Sequence, residues 1–340
     1  MGSSSAVPVS DAIVRAASLL RSGGLVAFPT ETVYGLGANA LDAGAVARIY
    51  AAKGRPAWNP VIVHVASIDA ARALVTEWPD DAQRLAEAFW PGPLTLVLPR
   101  SPNVPDIVTA GLGNVALRIP AHPMALELLR ECGVPVAAPS ANRFTAVSPT
   151  TAAHVIESLG DRVDMVLDGG PSDVGIESTV IDVLSTPAIV LRPGMVSRDH
   201  LQEVLGREVQ YRSSAAADGL VSQPAPGQAA RHYAPNSDVW LFQPDEISEV
   251  LSAASQRQLS GTNAAVTLVR AFSTSLRDDA FASGAVEVHR MPAVPELYAR
   301  ELYAALRSAD TDGIGLLLIE LPPAHDAWTA VHDRLTRAAH

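Results

Sequence analysis

Patterns typical of strands and helices alternate along most of this 340-residue chain, and the alternation limits the possible folds more than any single motif does. The first run extends from a helix expected after Ser10 to a last helix capped by Ser197. It stops between Ser213 and Asn236, where Ala, Ser, Pro and Gly dominate, and a shorter alternation follows. We therefore predict an α/β first domain over residues 1–212, a linker over 213–238 and a small Rossmann-like α/β domain over 239–340.

Composition excludes several classes of protein. Apolar residues make up 48% of the chain and charged residues 18%, which is typical of globular proteins. The net charge of −11 disfavours a protein whose main role is to grip a nucleic-acid backbone. The longest apolar runs are shorter than the ~20 residues of a membrane span, and the first residues do not resemble a signal peptide. With Cys132 as the single cysteine, an intrachain disulfide is excluded, and we expect a cytoplasmic protein.

Lys53 is the single lysine, and the remaining 24 of the 25 basic Lys and Arg residues are arginines. Lysine is a compact point charge with three donors, whereas arginine is a broad planar fork. A site that requires the first would resist a general replacement of lysine by arginine, although chance survival is the alternative. We predict that Lys53 has a function.

The residues around Lys53 support this prediction. Gly54 and Pro56 fix a turn that brings the cations of Lys53 and Arg55 together, with Asn59 nearby. Two cations and an amide suit a polyphosphate, while an ordinary solvated basic turn is the alternative. Because ligands bind at the carboxyl ends of strands in open α/β sheets, we expect the site at that edge.

Arg118 and His64 each lie within an apolar strand pattern. A buried arginine must be paired or must face a ligand, so a structural salt bridge is the alternative for Arg118. A buried histidine satisfied within the core is the alternative for His64. Farther along, Arg192 places a cation at the end of another strand.

The segment Ala138–Thr150 follows a predicted strand and is rich in hydroxyl and amide groups that suit an anion. We predict that Ser148 caps a helix that Pro149 opens and that ends near Leu159. The chain has no Walker A sequence, zinc-ligand spacing or G-x-S-x-G motif. Gly35–Ala40 matches G-x-G-x-x-A, but Lys53 and Arg55 stand where a dinucleotide site needs an acid, so we disfavour that site.

Several ordered motifs resemble those of the YrdC-type threonylcarbamoyl-AMP synthases in their long, two-domain form. The motifs are Phe28–Leu36, Lys53–Pro56, Asn59–Pro60, Pro91–Thr95, Val115–Pro120, Pro139–Asn142 and Ile176–Val180, together with the linker sequence Ala225–Pro235. The resemblance implies a twisted, mixed, open sheet with a concave basic cavity. It also implies synthesis of threonylcarbamoyl-AMP from L-threonine, bicarbonate and ATP, assisted by Mg²⁺ that enters with ATP.

The resemblance assigns roles to individual residues. For threonine they are Thr32, His64, Arg118, Ala138 and Ser178. For ATP they are Lys53, Arg55, Asn59, Asn114, Ser140, Asn142, Ser148 and Arg192, with His232 and Tyr233 on a linker that closes over the nucleotide. Lys53 and Arg55 would also be catalytic, because they would neutralise charge on the departing pyrophosphate. The product would pass to tRNA threonylcarbamoyl-transferase proteins, and weak contact with tRNA is compatible with this role.

The chain departs from the family pattern in two places, the linker and the start of one predicted strand. Gln228 and Ala229 replace a methionine and a basic residue of the linker, and Asn114 stands where threonine is common. Two other functions remain open from the sequence: an RNA-binding module with a local basic cavity, and another carbamoyl-adenylate enzyme. A regulatory role of the second domain is a further alternative.

Overall fold

Residues 9–212, 232–260, 268–273, 286–310 and 314–339 are described by the structure, a computed structural model of the chain. The chain divides into two compact units. The first contains Met1–Phe144, Ser148–Asp173 and Glu177–Gln228, and the second contains Thr145–Val147, Val174–Ile176 and Ala229–His340. The sequence patterns do not predict the two short segments of the second unit. The boundaries at residues 212 and 239 stay predictions, and residues 213–231 of the predicted linker lie outside the described residues.

The described part of the first unit is built on a ten-stranded mixed sheet. Its strands are β1 (Val26–Phe28), β2 (Gly35–Asn39), β3 (Ile62–His64), β4 (Leu94–Pro99), β5 (Asn114–Arg118), β6 (Val136–Ala137), β7 (Met165–Val166), β8 (Thr179–Asp182), β9 (Ala188–Arg192) and β10 (Val209–Tyr211). The spatial order is β10-β9-β8-β4-β5-β3-β6-β2-β1-β7. Strand β5 is parallel to β3 and antiparallel to β4, so the predicted mixed sheet is confirmed. The sequence patterns miss β2, whose glycines resemble a loop, and the short edge strand β10.

Eight helices accompany this sheet in the described residues. They are α1 (Val9–Arg21), α2 (Ala43–Lys53), α3 (Ile68–Arg72), α4 (Asp80–Phe89), α5 (Asp106–Thr109), α6 (Pro123–Cys132), α7 (Ala152–Leu159) and α8 (Arg198–Leu205). Along β1, Ala27 belongs to one apolar cluster, whereas Val26 and Phe28 belong to another that includes Ile13 of α1 and Leu128 of α6. Because successive side chains of a strand point to opposite faces, both faces of the sheet are covered at β1.

Helix caps explain most of the helix boundaries. Asp42 accepts hydrogen bonds from the amides of Gly44 and Ala45 at the start of α2. Ser197 caps α8, as the sequence predicts. The predicted cap at Ser148 is wrong, because α7 begins three residues later than a helix opened by Pro149 would. Thr151 is the cap of α7 and accepts from the amide of His154 at 3.3 Å, while the Ser148 hydroxyl is used elsewhere.

The second unit contains a four-stranded parallel sheet in the order β11-β14-β12-β13. Its strands are β11 (Asp238–Phe242), β12 (Leu268–Ser273), β13 (Val286–Arg290) and β14 (Ile314–Glu320), and its helices are α9 (Ile247–Ser260), α10 (Pro295–Ala309) and α11 (Thr329–Ala338). The predicted α/β alternation is therefore present, whereas the Rossmann-like classification stays a prediction.

Among the described residues, no helix is long and apolar enough to cross a membrane.

Candidate active site

Five neighbouring strands of the first unit place polar side chains on one face and at one end of the sheet. His64 ends β3 and pairs in register with Arg118, which ends β5. On the antiparallel side, Thr95 of β4 pairs with Val180 of β8, and Val180 pairs with Arg192, which ends β9. Strand alternation gives His64, Arg118 and Thr95 the face opposite to the large apolar cluster that contains Val63 and Leu117. Arg192 is paired with Val180 across a register shift in β8 and β9. The predicted location at the carboxyl ends of strands therefore describes only part of this edge, because strands that run in the opposite direction contribute their amino ends.

Lys53 is the last residue of α2, and Gly54 ends the helix with a left-handed φ of 65°. The buried Lys53 ammonium donates to the main-chain oxygens of Ser140 and Asn142, at 2.5 Å each. The main-chain oxygen of Lys53 accepts from the amide of Phe144 at 2.9 Å. Lys53 therefore fixes the course of the predicted anion-binding segment, and one of its three N–H donors lies outside these two bonds.

Burial lowers the pKa of Lys53 well below its ordinary value of 10.5. The positive charge of Arg55 lowers it further, and the Glu177 carboxylate opposes both effects. An anion placed beside this amine would favour its charged form, as Glu177 does.

Arg55 lies against the loop that follows it. Its Nε donates to the Asn59 main-chain oxygen at 3.1 Å, and its Nη2 donates to Asn59 Oδ1 at 2.6 Å and to the Pro60 oxygen at 2.7 Å. The guanidinium also lies 5.9 Å from the centre of the Phe144 ring. Asn59 Nδ2 is buried and has no hydrogen-bond partner among the described residues, so this donor is available to a ligand.

Arg118 is ion-paired, as the structural alternative in the sequence proposed. Its Nη2 donates to Glu31 Oε1 at 2.7 Å, its Nη1 to Thr32 Oγ1 at 2.9 Å and its Nε to the Gly92 oxygen at 3.2 Å. These bonds use three of the five N–H donors of a guanidinium. Glu31 is also fixed by the amide of Ala121 at 3.0 Å. Arg118 is therefore rigidly oriented and retains donors for a ligand.

His64 is buried, and its ring packs edge-on against Phe28 with the ring centres 6.1 Å apart. Burial and then the charge of Arg118 lower the pKa of His64 from 6.5 to about 3, so the ring is neutral at physiological pH. Its Nδ1 has no hydrogen-bond partner in the described part of the chain. His64 therefore offers an unused nitrogen beside Arg118 rather than a second positive charge.

Ser178 and Arg192 form a second polar group on this face. The Ser178 and Thr95 hydroxyls lie 2.8 Å apart, and Arg192 donates to the Ser178 main-chain oxygen at 2.9 Å and to its hydroxyl at 3.1 Å. Next to Ser178, the buried Glu177 carboxylate accepts from the Ser148 hydroxyl at 2.6 Å. This bond is what replaces the predicted helix cap at Ser148.

The other predicted residues differ in position. Ala138 is buried and donates its amide to the Ile62 oxygen at 2.8 Å, whereas Ser140 and Asn142 contribute main-chain oxygens to Lys53. Asn114 is exposed at the start of β5, four residues and therefore about 13 Å from Arg118 at its end. The structure does not bring Asn114 to the other residues, because it lies at the opposite end of the strand.

His232 and Tyr233 are buried residues of the second unit. Sequence reasoning missed Glu31, Thr95 and Glu177 as functional groups. Each lies inside a motif that carries the family resemblance, so the motifs contained the signal although residue type alone did not.

Charge is unbalanced in the buried part of the first unit. Among its described residues, four buried cations face two buried carboxylates: Lys53, Arg55, Arg118 and Arg192 against Glu31 and Glu177. Burying charge without compensation is costly, and an anionic ligand would supply the compensation. The arrangement therefore suits a substrate with several negative charges.

Comparisons with known proteins match both parts of the chain. Residues 18–194 match a family model described as telomere recombination, which covers Sua5, YciO and YrdC, and residues 196–340 match one described as threonylcarbamoyl-AMP synthase, C-terminal domain. A threonylcarbamoyl-AMP synthase from Pyrococcus abyssi is 41% identical and covers 95% of this chain and 93% of its own length. A threonylcarbamoyl-AMP synthase from Bacillus subtilis is 39% identical and covers 96% of this chain and 92% of its own length. A crystal structure of P. abyssi Sua5 complexed with L-threonine matches with a TM-score of 0.86 at 41% identity, and covers 96% of this chain and 94% of that chain.

Proposed function

Because the chain belongs to the threonylcarbamoyl-AMP synthase family, we propose that its excess of buried positive charge binds ATP beside L-threonine. The enzyme joins L-threonine, bicarbonate and ATP into threonylcarbamoyl-AMP, with release of pyrophosphate and water, and this product is the precursor for threonylcarbamoyl-adenosine in tRNA. The observation that carries the assignment of the site is the set of four buried cations against two buried carboxylates in one unit.

The reaction requires positioning and charge stabilisation rather than a protein nucleophile. The amine of threonine captures CO₂ derived from bicarbonate and becomes a carbamate. A carbamate oxygen then attacks the α-phosphorus of ATP, and the bond from this phosphorus to the bridging oxygen breaks as pyrophosphate leaves. Negative charge develops on the leaving group, so fixed cations beside it lower the barrier.

We assign the ATP side of the site to Lys53, Arg55 and Asn59. The Lys53 ammonium has a donor beyond its two main-chain bonds, and the buried Asn59 Nδ2 has no partner in the described residues. Phosphate oxygens would accept from both groups. Arg55 holds the Asn59 side chain in place through its Oδ1, so it acts both as a charge and as a support. Ser140, Asn142, Ser148 and Arg192 complete the proposed ATP set, whereas Asn114 lies at the other end of β5 and is left out of it.

The threonine side is assigned to Thr32, His64, Arg118, Ala138 and Ser178. Arg118 has donors left for a carboxylate or carbamate, and Glu31 fixes its orientation. A neutral His64 would hydrogen-bond to the substrate without attracting a second anion. The hydroxyls of Thr32 and Ser178 would recognise the substrate hydroxyl, and such a site rejects an analogue without that hydroxyl by a factor of up to about 10⁴–10⁵.

Mg²⁺ would enter with ATP. In the described residues, no group of three or more His, Cys, Asp or Glu side chains is arranged to hold a metal ion. The phosphate oxygens themselves would be its ligands, and bound Mg²⁺ supplies neutralisation of phosphate charge. Lys53 and Arg55 would share this task from the protein side.

Four further elements of the function stay proposals. Transfer of the product to separate tRNA threonylcarbamoyl-transferase proteins, weak contact with tRNA and a cytoplasmic location follow from the family role. Closure of the linker over the nucleotide is also a prediction, since residues 213–231 lie outside the described part.

Release of pyrophosphate from ATP tests the proposal directly. We expect release only when threonine and bicarbonate are both present, and a strong decrease when 2-aminobutyrate, which lacks the hydroxyl, replaces threonine. Hydrolysis of ATP independent of threonine would contradict the proposal. Salt-sensitive binding of RNA without use of ATP would instead support an RNA-binding module.

A further inference from the structure

Thr30 is a buried polar residue that follows β1 in the first unit and is 2% exposed. Its hydroxyl donates to the main-chain oxygen of Val33 at 2.6 Å. A carbonyl oxygen can only accept a hydrogen bond, and a threonine hydroxyl has a single proton. The bond to Val33 therefore uses the proton of the Thr30 hydroxyl.

The proton of the neighbouring Thr32 hydroxyl is fixed in turn. The hydroxyl oxygens of Thr30 and Thr32 lie 2.8 Å apart, at hydrogen-bond distance. Because the Thr30 proton is directed at Val33, Thr32 must be the donor of this bond. The amides of Thr32 and Val33 also donate to the Thr30 hydroxyl oxygen, at 3.2 Å each. Thr30 thus acts as an acceptor towards Thr32, and it holds the Thr32 proton.

The remaining hydrogen-bonding capacity of Thr32 is that of an acceptor. Arg118 Nη1 donates to Thr32 Oγ1 at 2.9 Å and uses one of the two lone pairs of this oxygen. The second lone pair remains, whereas the proton is committed to Thr30. Thr32 can therefore accept a hydrogen bond from a ligand but cannot donate one.

The Ser178 hydroxyl of the same proposed site is not restricted in this way. Its partner Thr95 lies 2.8 Å away, and either hydroxyl can be the donor. In the described contacts, the Thr95 hydroxyl has no main-chain acceptor that would fix its proton as Val33 fixes that of Thr30. The restriction to an acceptor is therefore particular to Thr32 and originates in Thr30.

A threonine substrate has two groups that could donate to Thr32, the ammonium and the side-chain hydroxyl. An ammonium at this point would lie beside the Arg118 guanidinium, which donates to the same oxygen, and two positive charges repel each other. A carboxylate has no proton to donate. The neutral hydroxyl is the donor that fits the remaining lone pair without this repulsion.

We propose that Thr30 is a positioning residue for substrate selection: it fixes Thr32 as an acceptor, so that the site selects an amino acid whose side-chain hydroxyl donates. The inference rests on the proposed function, because that function assigns Thr32 to threonine. Thr30 acts through Thr32 and is not assigned a contact with the substrate, so it is not a catalytic residue.

Thr30→Val in the full-length protein tests the proposal, because valine has nearly the shape of threonine and lacks the hydroxyl. Calorimetry without ATP gives the dissociation constants of L-threonine and of its β-fluoro analogue, in which fluorine replaces the hydroxyl and cannot donate. In the variant, the Thr32 proton is released from Thr30 and can turn towards the fluorine. We expect the analogue to bind about 3- to 10-fold more tightly to Thr30→Val than to the wild type, the size of one neutral hydrogen bond. Threonine itself should bind no more tightly.

Two further variants serve as controls. Thr30→Ser keeps the hydroxyl and should keep the wild-type ratio of the two dissociation constants. Thr109→Val is the matched control, because the buried Thr109 hydroxyl also donates to a main-chain oxygen three residues later, that of Leu112, at 2.9 Å. Thr109 precedes the amino end of β5, whereas Arg118 ends that strand. Thr109→Val should lower the thermal stability without changing the ratio.

A gain of affinity for the fluorinated analogue separates substrate selection from mere support of the loop, since a distorted loop would weaken both ligands. Equal weakening of both ligands in Thr30→Val, or an unchanged ratio of their dissociation constants, would overturn the proposal and leave the proposed function intact. Absence of threonine binding to the wild-type protein would instead refute the proposed function, and the inference with it.

Discussion

Lys53→Arg is the substitution that best separates shape from charge in this site. The positive charge remains, but the compact ammonium becomes a planar fork that needs more space. Lys53 is 3% exposed and donates to the main-chain oxygens of Ser140 and Asn142 at 2.5 Å each. A longer, rigid group in this enclosed space cannot keep both bonds and still point a donor towards a phosphate.

The magnitude follows from the bonds lost. A hydrogen bond from a charged donor contributes about 1.5–3 kcal/mol, so the loss of one of the two bonds should reduce kcat/KM for ATP by about 10- to 150-fold. Lys53→Met removes the charge as well and should reduce it further. Thermal unfolding of each variant separates an effect on chemistry from an effect on folding.

Arg48→Lys is the matched control, because Arg48 lies on the same helix, is half exposed and pairs with Asp164 at the surface. Surface pairs contribute about 0–1 kcal/mol, so this variant should keep wild-type turnover. Wild-type kcat/KM in Lys53→Arg would refute the reasoning about the solitary lysine.

Three other perturbations test separate parts of the site. His64 has a folded-state pKa of about 3 against 6.5 in the unfolded chain, so only the unfolded chain binds this proton between those values. Stability to urea should fall by up to about 1.4 kcal/mol for each pH unit below 6.5, and His64→Asn should remove that part of the slope. Glu31→Gln should raise the KM for threonine but not for ATP. The two carboxylate oxygens of Glu31 accept from Arg118 and from the Ala121 amide, whereas a glutamine side chain has one oxygen and can replace only one of them. Equal changes in both KM values would contradict this prediction. Chelation of Mg²⁺ should stop pyrophosphate release while calorimetry still detects threonine binding, and continued release would exclude the proposed role of Mg²⁺.

The sequence predicts the strands that carry the site because their apolar patterns are strong. His64 and Arg118 stand out as polar residues within those patterns, and the structure places them side by side at the ends of β3 and β5. Asn114 shows the limit of this reasoning. It belongs to the same strand as Arg118 but lies at its other end, and residue type does not reveal that separation.

The partners of the cations could not be predicted from the sequence. Glu31 is 87 residues from Arg118, and the oxygens that bind Lys53 are 87 and 89 residues away. The main chain carries no residue-specific signal, so bonds to its oxygens are invisible in a sequence. The misassigned cap at Ser148 has the same origin, because a carboxylate 29 residues away uses its hydroxyl.

The two halves of the site neutralise their own charges differently, and this difference indicates their separate tasks. Lys53 donates to the neutral main-chain oxygens of Ser140 and Asn142. In the described part of the chain, its ammonium forms no hydrogen bond to a carboxylate. Arg118 instead meets the Glu31 carboxylate at 2.7 Å, and the neighbouring His64 stays neutral. A triphosphate needs cations that still carry net charge, whereas an amino acid with one carboxylate needs oriented donors more than added charge. The half around Lys53 therefore suits phosphate binding, and the half around Arg118 suits recognition and alignment of threonine.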